Sequence, residues 1–352
     1  MIRPGERGVH PERTEAQPGG SRAPSGLLRF PTRASILAPM ATAATAGPGP
    51  LPRITRWLSL RAYGVVTSTL FGATTPPVTM RSRFERFAGV SREKLRRKHP
   101  NVGFEDLRAG AVPVEVVRAV EQPERVLLHL HGGAYFMGSP ASYRLRALRL
   151  GHRLGAEVFV PAYRLAPEHP FPAALDDALD VYRAVRAARP GLPLFLSGDS
   201  AGGGLALALL LRLRALGLPA PAGAILLSPW TDLTTSGGSV DANDGKDLWF
   251  TRRHLETWAR HYAGAADTRS PELSPVFADL AGLPPLLLLA AEDELLLDDA
   301  RRVHEAALHA GVGSRLLVGA GMQHDWPLTL PWLPESKHAW REMRRFVDER
   351  AG

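Results

Sequence analysis

The sequence predicts an α/β fold, a doubly wound and mostly parallel sheet, on three observations. After Pro113 it falls into short β-branched or leucine-rich runs bounded by Gly and Pro. Such runs, apolar without alternation, are what strands buried on both faces look like. Helix-length amphipathic stretches lie between them, and strands alternating with helices build parallel sheets.

Taken in order, residues 1–50 hold eight prolines and few large apolar groups. They bury too little surface to offset ordering entropy and read as a disordered extension. Met40 reads as a candidate start of translation, which would leave residues 1–39 untranslated. Folded character begins near Arg53, with one helix expected over 54–66. Others are expected over Met80–Phe87 and Ser91–Arg97, separated by Pro76-Pro77 and Gly89. The expected strands are Val114–Arg118, Val126–Leu130, Glu157–Ala162, Leu194–Ser197, Ala224–Leu227, Leu286–Ala290 and Arg315–Val318. The expected helices between them are Tyr143–Leu154, Ala173–Ala188, Gly203–Leu216 and Asp298–Ala310. From Thr231 to Pro284 the rhythm breaks, and Trp249, Phe250, Trp258 and Tyr262 recur at roughly helical spacing. This insertion reads as a lid over a pocket. The organisation is thus a 1–50 extension and one domain over 51–352, its cap drawn from about 51–100 and 231–283.

Composition excludes several chemistries. With no cysteine there is no disulfide, thiol nucleophile or cysteine-ligated metal. The net charge of +8 is uneven: residues 1–100 carry 17 Lys/Arg against 5 Asp/Glu. The densest run, Arg92 to Lys98, lacks interleaved aromatics and reads as a solvated basic surface, not a nucleic-acid site. No apolar stretch reaches the roughly 18 residues of a spanning helix, and Leu205–Leu211 ends at Arg212. Ile36–Ala46 is only weakly apolar, so no secretory signal is read and a cytoplasmic location is expected. There is no H-E-x-x-H and no Walker A pattern, so neither metal nor other cofactor is expected.

The chemistry concentrates at the ends of strands. Gly198-Asp199-Ser200-Ala201-Gly202 is a G-x-S-x-G pattern, which 34 glycines supply by chance roughly 0.2 times in such a chain. Context raises its weight, because Leu194–Ser197 reads as the strand before it and Gly203–Leu216 as the helix after it. A serine hydroxyl becomes a nucleophile only when exposed and set against a base, and a tight strand-to-helix turn exposes Ser200. Val126–Leu130 runs into His131-Gly132-Gly133-Ala134, a glycine loop able to turn backbone N–H groups inward. Gly132 and Gly133 are the expected oxyanion donors, with Ala201 N–H the third. His131 is expected to shape this loop, and His129 to be packed or at the solvent edge. After Leu286–Ala290, Asp293 is placed to serve as the acid; Asp298 and Asp299 are better read as helix N-terminal partners. His324, in the loop after Arg315–Val318, is the expected base. The order Ser200, Asp293, His324 is nucleophile, acid, base.

Together these motifs resemble the bacterial hormone-sensitive-lipase-like esterases and lipases of the α/β-hydrolase superfamily. The resemblance is carried by His131-Gly132-Gly133-Ala134, Tyr163-Arg164-Leu165-Ala166-Pro167-Glu168-His169-Pro170 and Gly198-Asp199-Ser200-Ala201-Gly202-Gly203. Ser228-Pro229-Trp230-Thr231-Asp232 and Asp293-Glu294-Leu295-Leu296-Leu297-Asp298 add to it, and it covers about 55–350. It implies an eight-stranded, mostly parallel sheet flanked by helices, a helical cap, no cofactor, and hydrolysis of short- to medium-chain carboxylic esters through Ser200, Asp293 and His324. Ala134 replaces a frequent third glycine, and Asp325-Trp326 follows His324 where smaller or aliphatic residues are frequent, which would reshape the pocket rim. The expected partner is a small-molecule ester, without nucleic acid or stable membrane insertion, and a homodimer is compatible with this reading. Lactonase, amidase and thioesterase activities, or a non-catalytic ligand-binding role, are the alternatives.

Overall fold

The computed structural model describes residues 75–351, together with Leu60, Ala62 and Gly64. The extension expected over 1–50 lies outside the described residues, as does most of the helix expected over 54–66. Eight strands form one sheet: β1 (Gly103–Ala109), β2 (Val112–Arg118), β3 (Arg125–Leu130), β4 (Ala156–Pro161), β5 (Leu194–Asp199), β6 (Gly223–Leu227), β7 (Leu286–Ala291) and β8 (Ser314–Gly319). Their spatial order is β1-β2-β4-β3-β5-β6-β7-β8. The pairs β1·β2 and β2·β4 are antiparallel, and every other neighbouring pair is parallel. Strands β3, β5, β6 and β7 are buried at every position, which is why their sequences are apolar without alternation.

The helices are α1 (Pro77–Ala88), α2 (Arg92–Lys98), α3 (Pro140–Leu154), α4 (Ala173–Ala188), α5 (Ala201–Ala215), α6 (Gly238–Ala242), α7 (Arg252–Ala263), α8 (Leu297–His309), α9 (Trp326–Thr329) and α10 (Pro334–Asp348). Helix α3 starts at a capping box in which Ser139 and Ser142 exchange side-chain and backbone bonds, and it ends at Gly155 with φ 64°. It packs on β4 and α10, while α4 packs on α5. Helix α5 is apolar nearly all round because it is buried nearly all round.

The strand missing from the sequence reading is β1. Its residues include Glu105, Asp106 and Arg108, and only Ala109 is buried, as an edge strand allows. It exists as the partner of β2, in register from Gly103↔Arg118 to Ala109↔Val112, and not through a hydrophobic pattern of its own.

The basic run forms α2, whose N-cap Ser91 Oγ accepts the Lys94 N–H at 3.2 Å. Part of its charge is spent internally. Arg92 binds Asp106 and buried Glu115, and Arg144 reaches Glu115 Oε1 at 2.6 Å. No described helix is long and apolar enough to cross a membrane.

All the parallel strands end at one edge of the sheet, the edge where ligands bind in open α/β folds. The loops after β3, β5, β7 and β8 carry His131, Ser200, Glu294 and His324. The β6–β7 insertion, with α6 and α7, brings Trp249, Phe250, Leu255 and Trp258 to the same pocket.

Candidate active site

Ser200 sits between β5 and α5 at φ 54°, ψ −125°, outside the regions open to ordinary L-residues. Four backbone bonds hold it there: Ser200 N donates to Leu227 O at 2.8 Å, and Ser200 O accepts from Trp230 N and Gly203 N, both at 2.9 Å, and from Gly204 N at 3.2 Å. Such a position persists only when its surroundings over-determine it. The turn's glycines are steric requirements. A Cβ on Gly202 would lie 2.0 Å from Leu130 O and 2.6 Å from His131 O, and one on Gly198 would lie 2.1 Å from Gly202 O. Those obstacles are backbone on both sides and cannot rotate away. Gly202→Ala is therefore expected to cost at least about 3 kcal/mol and most of the activity. Urea denaturation would check this, with the wild-type midpoint as the result against it.

The loop after β3 is anchored from below. His131 is fully buried and stacks on Tyr163 with centroids 4.2 Å apart. Its Nδ1 lies 2.9 Å from Gly132 O, and the Tyr163 hydroxyl donates to His131 O at 2.6 Å. Burial pushes the His131 imidazole down to about 4, so it is neutral near pH 7 and serves as a packed polar ring.

One expected oxyanion donor needs correction. The Gly132 N–H is already spent, on the Tyr143 hydroxyl at 2.9 Å and Asp199 Oδ1 at 3.0 Å. Gly133 and Ala134 line the pocket beside Ser200, while Gly132 does not. Neither Gly133 N–H nor Ala134 N–H has a hydrogen-bond partner among the described residues. The φ of 52° at Ala134 turns the loop there, and the unpaired N–H groups are those of Gly133 and Ala134, one residue along from the expected pair. Ala201 is the first residue of α5, where an N–H has no partner within the helix.

The acid also needs correction by one residue. Asp293 is half-buried, and its backbone N–H reaches Met322 O at 3.4 Å. Glu294 is the carboxylate against the base, with Oε2 lying 2.8 Å from His324 Nδ1. Its Oε1 accepts the Ala291 N–H at 2.9 Å, and it is fully buried. Asn243 Nδ2 ties Glu292 O and Glu294 O to the insertion, at 2.9 Å each. Asp298 and Asp299 serve elsewhere: Asp298 Oδ2 accepts Ser239 N–H, and Asp299 Oδ2 accepts the N–H groups of Thr231 and Asp232.

His324 is 2 % exposed, with Phe250 edge-on at 4.7 Å. Burial opposes its charged form, but the charge of Asp325, the bond and charge of Glu294 and the charge of Asp247 outweigh that and push it up to about 9. A second carboxylate, unassigned by the sequence reading, lies on the other side of the ring. Asp325 Oδ2 is 3.4 Å from His324 Nε2.

Ser200, His324, Gly133 and Ala134 share a pocket whose walls include Phe84, Trp230, Trp258 and Leu296. Its largely apolar walls suit an ester more than a charged ligand.

A family model described as the alpha/beta hydrolase fold matches residues 127–328. The chain is 42% identical to an acetyl-hydrolase of Streptomyces hygroscopicus over 232 residues, 65% of this chain and 77% of that protein. It is 36% identical to an esterase of Acinetobacter venetianus over 253 residues, 71% of this chain and 83% of that one. Among solved structures it superposes on an esterase from the bacterial hormone-sensitive lipase family with a TM-score of 0.75 at 34% identity, covering 84% of this chain and 99% of the other.

Proposed function

Because the chain belongs to the hormone-sensitive-lipase-like esterases of the α/β-hydrolase fold and is a carboxylic ester hydrolase, we propose that it cleaves short-chain acyl esters by two-step acyl transfer from Ser200. In this reading His324 removes the Ser200 proton as Oγ attacks the carbonyl carbon. Glu294 holds the imidazole through Nδ1 and stabilises its charged form, and the N–H groups of Gly133, Ala134 and Ala201 receive the oxyanion. His324 then protonates the leaving alcohol, and water repeats the cycle to release the acid. The observation that carries this reading is the 2.8 Å contact between His324 Nδ1 and a fully buried carboxylate, in the pocket that holds the strained serine.

The bulky aromatic lining of that pocket, Trp230, Trp249, Phe250 and Trp258, supports the preference for short acyl groups. Identity to an acetyl-hydrolase supports it as well. The test is a series of p-nitrophenyl esters from acetate to palmitate, with a butyrolactone and a p-nitroanilide alongside. We expect kcat/KM to fall at least about 100-fold from butyrate to palmitate. A fluorophosphonate should add its mass to the peptide containing Ser200. A profile rising toward palmitate would overturn the short-chain preference. Turnover of the anilide alone would overturn ester cleavage.

A further inference from the structure

Asp325 follows the base in sequence and faces it in space, and the cycle above gives it no part. Its backbone is left-handed, with φ 56°, and its N–H is fixed to Ser228 Oγ at 3.1 Å. That conformation folds the side chain back over the preceding residue, bringing Oδ2 to 3.4 Å from His324 Nε2. Nε2 is the nitrogen that must take the Ser200 proton, since Nδ1 is engaged by Glu294. Asp325 is 6 % exposed, and its Oδ1 is buried without a hydrogen-bond partner among the described residues. A carboxylate in that state is stabilised chiefly by a proton or a cation next to it.

We propose that Asp325 is a positioning residue that engages His324 Nε2 in the resting enzyme and withholds the base from Ser200 until the pair loses a proton, which makes the esterase alkaline-active. This rests on the assignment of His324 as base. The proton balance is simple. The His324–Asp325 pair holds one proton, as imidazolium beside carboxylate. In that form the Nε2 lone pair is occupied, so Ser200 Oγ–H has no acceptor until that proton leaves to solvent.

Charged and titratable groups meet this pair from every side. Glu294 after β7 and Asp247 from the insertion raise His324, as Asp325 itself does, against the lowering effect of burial. On Asp325, burial acts first and upward, followed by the downward pull of His324, the upward push of Asp199 at the end of β5 and of Glu294, and the downward pull of Arg146 on α3. Tyr143 on α3 also feels the Asp325 charge, as one of the causes that hold its hydroxyl neutral. The carboxylates facing His324 outnumber the cations, so the proton stays on the pair to higher pH than on an ordinary histidine near ~6.5.

The experiment is the pH dependence of kcat/KM for p-nitrophenyl acetate in the wild type and Asp325→Asn, corrected for spontaneous hydrolysis, with fluorophosphonate inactivation rates measured in parallel. The wild-type acid limb is expected well above ~6.5. Asp325→Asn should move it down by about one unit or more, a gain of about tenfold at pH values well below the wild-type limb, with the alkaline plateau held within a few-fold. A residue that only supports packing would lower the plateau and leave the limb in place. If the Asn variant does not fold, the wild-type limb remains the test: a limb near ~6.5 overturns the inference. A limb unmoved in a folded variant with an intact plateau overturns it too, without touching the ester-hydrolase reading. Absence of hydrolysis and of Ser200 labelling at every pH would instead overturn that reading, and this inference with it.

Discussion

Ser200→Ala should lower kcat by about 10⁴–10⁶-fold, while Ser197→Ala should leave it within a few-fold. The comparison matters because the chain contains a second serine–histidine–aspartate cluster three residues back. Ser197 Oγ lies 2.8 Å from His129 Nδ1, and His129 Nε2 lies 3.2 Å from Asp199 Oδ1. By distance alone this cluster imitates a catalytic triad. Physically it cannot act as one, because Ser197 and His129 are both fully buried side by side on β5 and β3, and neither touches the pocket. A nucleophile must reach a carbonyl carbon, and a serine inside a strand pair has no approach. The work of the cluster is to hold Asp199. Burial alone would raise that carboxyl, but His129, Arg146 and the Tyr143 hydroxyl bring it down to about 2. As a carboxylate it accepts the Gly132 N–H and the Tyr143 O–H, the latter at 2.6 Å, and so braces the loop that carries Gly133 and Ala134. Ser197→Ala should therefore appear in stability, at about 1–2 kcal/mol for a buried partner left unmatched, and not in turnover. Loss of turnover in Ser197→Ala with activity kept in Ser200→Ala would exchange the two roles.

What was legible in the sequence follows from which physical signals are local. Seven strands could be read, the central ones because burial on both faces writes itself as uninterrupted apolar residues, whereas β1 depends on its partner and leaves no such mark. Ser200 and His324 could be singled out as candidates because each lies at a junction that small residues make obvious. His129 was left between packed and solvent-edge, and the structure makes it packed. The misplacements are all by one residue, at Asp293 against Glu294 and at Gly132 against the Gly133–Ala134 pair. In Glu292-Asp293-Glu294 the composition shows that a carboxylate leaves the strand near the base, but which one turns inward depends on the turn's dihedral angles. In the loop after β3 positive φ values at Gly133, Ala134 and Tyr135 accompany the N–H groups of Gly133 and Ala134, unpaired among the described residues, and Ala134 and Tyr135 are residue types that rarely announce such values. Asp325 stood out as an unusual neighbour for the base, but its contact with Nε2 needs a left-handed backbone that its sequence position does not reveal.

The correction of the acid carries the other large effect. Glu294→Gln should reduce kcat by about 10³–10⁴-fold, and Asp293→Asn by no more than a few-fold. The substituted amide keeps the size of the side chain, but its single carbonyl can serve only the Ala291 N–H or His324, not both. Toward His324 it offers either that carbonyl, which restrains Nδ1–H but gives no charge to the imidazolium, or, with the carbonyl kept on Ala291, an NH₂, which forces the wrong tautomer on the ring. Both outcomes penalise the transition state, where the buried imidazole becomes charged. Losing the Glu294 charge should also lower the proton affinity of His324, since Glu294 is among the groups that raise it. The variant is thus expected to combine a much reduced plateau with an acid limb at lower pH, a pairing that a simple packing defect would not produce. Asp293 is half-buried, whereas Glu294 is fully buried with Oε2 at 2.8 Å from His324 Nδ1, so the larger effect is expected at Glu294. A large loss in Asp293→Asn beside a near-wild-type Glu294→Gln would return the acid to Asp293 and require the turn after β7 to rearrange in solution.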